Sequence, residues 1–327
     1  MKISVVIPTI GREKYLELAL DSLVNQITPF DEIVVFDNSI EQNINIELDS
    51  KNDSIISIVR SGVHVDPISS WNKAVLSCKS EYVAILGDDD VASNKFSTEL
   101  RKSLEVSDVV IARAKAIDEN GKKISDLPYP ENKSLDYCSF FNSRVTGNCS
   151  LFVPGIAFSK KIFNQVNGFH DTNIEGYAFA DELLLLSMCF YSSNIAITNT
   201  VCWDYRVHSE QIGGVKSIEN LIALSDKYIN LFETKLTYLG FESDNGLFCK
   251  HNRKKYLTRV IRYNLVGFSK FASLKYSFKD FQNKIIKQLY RSNQINMGVA
   301  LKLHILATRI YISNTKIGCI IKNTFKK

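Results

Sequence analysis

Asp88-Asp89-Asp90 follows the apolar run Tyr82 to Leu86 after a single Gly87. Three adjacent carboxylates repel one another unless a cation neutralises them. An oxygen-only donor set suits Mg2+ or Mn2+, ions that keep coordination positions open for phosphate oxygens. A second acidic pair, Asp181-Glu182, opens the strongly apolar stretch Ala180 to Tyr191. A carboxylate so placed can accept a proton as a general base. Thr9 and Arg12 after one β-branched run, and Asp37, Asn38 and Ser39 after another, are polar in the same way. Turn chemistry and helix capping suffice for Thr9 and Asn38 taken alone, as a solvated helix start does for an isolated acidic triplet.

These residues need a scaffold that brings strand ends together. Short runs at Ile3 to Ile7, Glu32 to Phe36, Ile55 to Val59 and Tyr82 to Leu86 alternate with longer amphipathic stretches. That alternation predicts βαβ units and a largely parallel α/β sheet, whose ligands sit at the carboxyl ends of the strands. Tyr15, Leu18, Ala19, Leu23 and Ile27 fit one helical face. Ile68 to Leu76 reads as the next crossover helix, and Ser93 reads as the cap of a third that runs through Leu104. Val109 to Ile117 is a further strand ending in an Asn120-Gly121 turn. Residues 122 to 150 read as a loop excursion. Beyond it the sequence gives an extended Phe152 to Phe158, a helix from Lys160 to Val166, an Asn167-Gly168-Phe169 turn and a helix from Ala180 to Tyr191. A strand at Ile195 to Thr198 and an extended Cys202 to His208 complete this half. Trp71 and Trp203 read as packing residues, since aromatics mostly bury area.

Gly213-Gly214 is the best boundary, giving residues 1–212 as one domain and 213–327 as a helical, basic region. The chain has 327 residues, and its net charge of +5 conceals an asymmetry: residues 251–327 hold 17 Lys or Arg against Asp280 alone. An acidic body with a basic tail points toward an anionic surface. Tyr256, Tyr263, Phe268, Phe271, Tyr276 and Phe278 interleave with those bases as in a helix lying on anionic lipid. No RNA-binding signature accompanies them, so nucleic acid is not the expected partner. The seven cysteines form no CxxC pair and read as reduced thiols of a cytoplasmic protein. The N-terminus carries no export signal, and the longest apolar run, Leu183 to Tyr191, is too short to cross a bilayer. Any membrane contact is expected to be peripheral, on the cytoplasmic face of the inner membrane.

Seven segments in order, VVIPTIGREKYL, VVFDNS, WNKA, AILGDDD, NGF, ADELLLL and YRVH, resemble the motifs of family 2 glycosyltransferases over residues 1–212. The resemblance implies the GT-A fold, a Rossmann-like nucleotide-diphospho-sugar transferase architecture. It implies an inverting transfer from a nucleoside-diphosphate sugar, UDP-linked, to a glycan or polyprenyl-linked glycan, as in O-antigen or capsule synthesis. Carried over, Asp37 reads the uracil-type base, while Pro8, Thr9 and Arg12 form the first nucleotide loop. Asn72 lies near the nucleoside, Asp88 faces the ribose, Asp90 and His208 hold Mn2+ or Mg2+, and Asp89 stands between the two aspartates. Asp181 is the implied general base, with Glu182 competing for that role.

The sequence departs from the pattern at Ala180, where an acid is common, and at Ser187 and Met188, where an arginine is expected. A sugar nucleotidyltransferase is the rival enzyme, but its first loop needs more glycine than Gly11 supplies. A non-catalytic nucleotide or membrane-binding module is the rival from another class, against which stand Asp88, Asp90 and Asp181. A glycosidase would need two carboxylates flanking the bond and no nucleotide pocket.

Overall fold

Strand β1 (Ile3–Thr9) is buried along its length apart from Pro8, as expected of a central strand covered on both faces. In the computed structural model it pairs in parallel with β2 (Glu32–Asp37) on one side and β4 (Tyr82–Ile85) on the other, and β2 pairs in parallel with β3 (Ile56–Arg60). The structure describes residues 1–41, 44, 55–146, 148–172 and 180–208. The basic region 213–327 and its Gly213-Gly214 boundary lie outside the described residues.

Helices α1 (Glu13–Val24) and α2 (Pro67–Ser77) provide the crossovers of this parallel half. Leu16, Ala19, Leu20 and Leu23 make the buried face of α1. Asp66 caps α2 by accepting the Ser69 N–H, with Pro67 supplying the fixed φ of a first helical residue.

The sheet does not stay parallel. Its order is β3-β2-β1-β4-β9-β6-β10-β5. Strand β9 (Ile156–Ser159) runs antiparallel to both β4 and β6 (Val109–Ile117), whereas β6 and β10 (Ile195–Arg206) are parallel. A short apolar run announces a buried strand but neither its direction nor its neighbours. The largely parallel reading is therefore corrected to a mixed sheet, its reversal carried by β9.

Two strand pieces expected near the end of this half are one strand. β10 is continuous from Ile195 to Arg206, with register shifts against β6 between Ile197 and Trp203. At the irregularity Thr198 Oγ1 accepts the Arg113 N–H at 2.9 Å, doing the work of a missing ladder bond. Ser93 is not a helix cap: α3 spans Phe96–Leu104, and Gln26 Oε1 accepts the Ser97 N–H at 2.9 Å. Ser93 instead bonds through its N–H to Cys202 O, beside the short strand β5 (Val91–Ala92) that borders β10.

The excursion over 122–150 carries structure of its own. β7 (Lys123–Asp126) returns on β6 across the Asn120-Gly121 turn, β8 (Ser134–Leu135) pairs with β10, and α4 spans Tyr137–Thr146. The extended reading of Phe152 to Phe158 is interrupted at Gly155, which has φ +82°, and a Cβ there would lie 2.2 Å from the Trp203 ring. Trp203 is a core residue whose indole N–H donates to Ala112 O at 3.0 Å. Helices α5 (Lys160–Gln165) and α6 (Ala180–Tyr191) occur as read.

Candidate active site

Pro8 lies beyond the β1–β4 register, which runs from Ile3 to Val6, with the Leu86 N–H donating to Val6 O. Thr9 O accepts the Asn38 N–H at 2.9 Å, tying the ends of β1 and β2 together. The Thr9 hydroxyl donates to Asp88 Oδ2 at 2.7 Å and accepts the Gly11 N–H at 3.1 Å. Gly11, at φ +100°, turns the chain into α1. Arg12 folds back to bond both carboxylate oxygens of Asp88, with Nε at 3.2 Å from Oδ2, and its Nη1 lies 3.0 Å from Asp89 Oδ2.

The triplet at the end of β4 is thus partly neutralised by the protein itself. Burial raises the pKa of Asp88, with Arg12 and the Thr9 hydroxyl acting against it and Asp89 with it. Asp89 Oδ2 meets His208 Nε2 at 2.9 Å, and the His208 ring lies 5.1 Å from that of Tyr15. Asp90 is 1% exposed. Its Oδ1 accepts the Arg206 N–H at 3.0 Å, while its Oδ2 is buried with no hydrogen-bond partner among the described residues. Burial, then Asp89 and Asp88, pushes its pKa well above the ordinary carboxylate range against the Arg206 N–H. Gly87 is required by the same crowding, since a Cβ would lie 2.5 Å from Asp90 Oδ2 and 2.8 Å from Asp89 Oδ1.

An Mg2+ or Mn2+ ion fits the donor chemistry at Asp90, because a cation stabilises a buried carboxylate oxygen that nothing else bonds. Among the described residues no three acidic, His or Cys side chains gather as a ready cluster. Asp88 is engaged by Thr9 and Arg12, and His208, expected beside Asp90 on the metal, is bonded to Asp89.

Arg206 was not anticipated as a site residue. It is buried, and its guanidinium donates to Asp89 O at 2.8 Å, Glu119 O at 3.0 Å and Asp118 O at 3.2 Å while lying 5.2 Å from the Tyr15 ring centroid. The signal was its place in YRVH, next to the histidine that drew attention. A cleft of about 430 Å³ opens beside these groups, lined by Arg12, Lys14, Tyr15, Glu119 and His208 among others.

At the end of β2, Asp37 is fully buried, and its Oδ1 accepts the N–H and hydroxyl of Ser39 at 2.9 and 2.6 Å. Its Oδ2 has no hydrogen-bond partner among the described residues and lies 4.0 Å from Arg60 Nε. Asn38 serves the scaffold, exchanging two hydrogen bonds with the backbone of Val65.

Asn72, expected near the nucleoside, is engaged by the backbone of Phe169. Its Nδ2 donates to Phe169 O at 2.9 Å and its Oδ1 accepts the Phe169 N–H at 2.8 Å. The WNKA and NGF segments are therefore two halves of one clamp. Asn167 and Gly168 both have positive φ there, and a Cβ on Gly168 would lie 2.3 Å from Asn72 Oδ1. Asn72→Ala leaves the buried Phe169 backbone unpaired and is expected to destabilise the fold by about 1–3 kcal/mol. The measurement is chemical unfolding alongside nucleotide titration: the clamp role predicts a lowered midpoint with donor affinity retained. Unchanged stability with lost affinity would return Asn72 to the nucleoside.

In the first turn of α6 the two acids are distinguished by their partners. Glu182 Oε1 is held by Arg144 of α4, with Nη2 at 2.9 Å and Nε at 3.2 Å. Asp181 is partly exposed and has no side-chain cation bonded to it among the described residues; its Oδ1 accepts the Glu182 N–H at 2.8 Å. Burial, reinforced by the adjacent Glu182 charge, pushes Asp181 up to about 6, with the Glu182 N–H and Arg144 opposing.

Residues 4–166 match the family described as Glycosyl transferase family 2. The chain is 30% identical over 175 residues to a poly(ribitol-phosphate) beta-glucosyltransferase of Bacillus spizizenii, covering 50% of this chain and 26% of that protein. It is 25% identical over 259 residues to the O-antigen biosynthesis glycosyltransferase WbnJ of Escherichia coli, covering 76% of this chain and 95% of the relative. Among solved structures, residues 1–349 of S. aureus TarS in complex with UDP-GlcNAc superpose with a TM-score of 0.59 at 18% identity, covering 97% of this chain and 88% of that one. At that identity the likeness speaks for the fold, which is GT-A.

Proposed function

For a chain that belongs to glycosyl transferase family 2, we propose an inverting transfer of a sugar from a UDP-sugar to a hydroxyl of a glycan or polyprenyl-linked glycan in surface-polysaccharide synthesis. The observation that carries this reading is the buried, unpartnered Oδ2 of Asp90 at the carboxyl end of β4, beside a polar cleft. The likeness to a poly(ribitol-phosphate) beta-glucosyltransferase and to an O-antigen biosynthesis glycosyltransferase, and the UDP-GlcNAc complex of the structural neighbour, support it.

In this reading Asp37 Oδ2 accepts the imide N–H of uracil, because a buried carboxylate oxygen with no hydrogen bond of its own among the described residues favours a donor. Asp90 and His208 would hold Mn2+ or Mg2+, which when bound stabilises the negative charge growing on the departing diphosphate. Arg12 and Thr9 hold Asp88 in place to meet the ribose. Arg206 ties Asp89 and Asp90 to the turn at Asp118 and Glu119. Asp181 takes the acceptor proton. One base and direct displacement give inversion at the anomeric carbon.

The basic region 213–327 would place the enzyme at an anionic cytoplasmic surface, where each Lys or Arg contributes about 1 kcal/mol. Among the described residues no helix is long and apolar enough to cross a membrane. Full-length protein, Mn2+ and a panel of nucleotide sugars should therefore give thermal stabilisation by a UDP-sugar above others. Transfer is expected to polyprenyl-linked glycan in anionic vesicles, with sedimentation that salt suppresses. Stabilisation without transfer to any glycan would favour a binding module, and transfer without vesicle binding would remove the membrane assignment.

A further inference from the structure

We infer that Arg144 is a positioning residue for the base: it engages Glu182 in an ion pair and fixes the first turn of α6, so that Asp181 is the carboxylate left to accept the proton. The inference rests on the reading of Asp181 as general base.

Arg144 is 8% exposed, an uncommon setting for a guanidinium. Its position is held from two sides. Nη1 donates to Cys149 O, and Nε and Nη2 converge on Glu182 Oε1 at 3.2 and 2.9 Å. Such a fork fixes orientation as well as charge, which a lysine ammonium would not. The backbone N–H of the residue so anchored then donates to Asp181 Oδ1 at 2.8 Å. A continuous path thus runs from the Cys149 carbonyl through Arg144 and Glu182 to one oxygen of Asp181. The Tyr137 and Phe190 rings meet edge to face at 5.9 Å, a second contact between α4 and α6 at their other ends.

Two neighbouring carboxylates with no cation between them would compete for one proton and titrate as a unit. Ala180 and Ser187 bring no charge to relieve this. The nearby bases of α5 do not either, since Lys160 donates to Cys78 O and Lys161 is exposed, while His170 is bonded to Val166 O. Among the described residues Arg144 is the charged group that reaches the pair from a packed element, and it bonds Glu182. The direction of the Asp181 shift agrees, with Glu182 raising its pKa and Arg144 opposing.

The test is a pH profile of kcat/KM for the wild type, Arg144→Met, Glu182→Gln, their combination and Asp181→Asn, each checked for folding by thermal unfolding. Arg144→Met should move the acidic limb upward by about one pH unit, since a nearby opposite charge is lost. Adding Glu182→Gln should bring the limb back, because the released carboxylate is gone, while turnover stays low, because nothing then anchors the first turn of α6. Should Arg144→Met fail to fold, Glu182→Gln alone still decides, with an expected downward move of the limb. An unmoved limb in both single variants, or a double variant whose limb stays with that of Arg144→Met or whose turnover returns to the wild-type level, overturns the inference while an inactive Asp181→Asn leaves the base reading standing. An active Asp181→Asn overturns the base reading itself.

Discussion

Asp90→Ala is expected to reduce sugar transfer to background and to abolish metal-dependent nucleotide binding. A metal's stabilisation of transition-state charge amounts to several kcal/mol, and each 1.36 kcal/mol is tenfold in rate. A loss of three orders of magnitude or more therefore follows. The alanine also removes the acceptor of the Arg206 N–H, so part of the effect would come from a loosened loop. Asp90→Asn separates the two causes, because its amide oxygen can still accept from Arg206 while the charge is gone. Both variants should be inactive, with only the alanine losing stability. Calorimetry of UDP binding with and without Mn2+ gives the second readout. Wild-type activity in either variant, or activity undiminished by excess chelator, would sink the metal assignment.

Much of the parallel half was legible in the amino-acid sequence, because its signals are local. The strands at Ile3, Glu32, Ile56 and Tyr82 start within one residue of their expected places, and Val109–Ile117 matches at both ends. A β-branched run bounded by turn residues defines a buried strand by itself. What sequence reading missed depends on partners far along the chain. The reversal at β9 is decided by its pairing with β4 and β6. The bulge in β10 hides behind polar Asn199 and Thr200, which read as a break, and the cap of α3 comes from Gln26 in another element.

The site shows the same division. Asp37, Asp88 and Asp90 could be singled out because each follows a strand, and a strand end is visible in sequence. For Asn72 nothing local says that its amide will meet the backbone of Phe169 across 97 residues. Arg206 shows the converse: its place beside His208 in YRVH is the one local signal, and that signal does not say that its guanidinium will bind the carbonyls of Asp89, Asp118 and Glu119. The choice between Asp181 and Glu182 depends on Arg144, whose pairing with Glu182 across 38 residues has no local sign.

That choice yields the second large effect. Asp181→Asn should lower kcat by about 10²- to 10⁴-fold while donor affinity changes little, since an amide keeps the shape of the carboxylate but cannot accept the acceptor's proton. In the wild type the base is active when ionised, so turnover should rise with pH through a limb near 6, where burial places Asp181. The variant's residual rate should lack that limb. Stability provides an independent check. A carboxylate whose folded pKa is raised above its unfolded value binds more protons in the folded state, so its ionisation weakens folding as pH rises from about 4 to about 6. Asp181→Asn removes that ionisation and should unfold at a higher temperature than the wild type at neutral pH, with the difference shrinking in acid. A variant that is inactive, correctly folded, more stable at pH 7 and still able to bind the donor would identify Asp181 as a residue kept for chemistry at the expense of the fold. If Glu182→Gln is the inactive variant instead, and Asp181→Asn turns over normally, the base lies one residue further along α6 and the Arg144 ion pair is part of the reaction rather than its support.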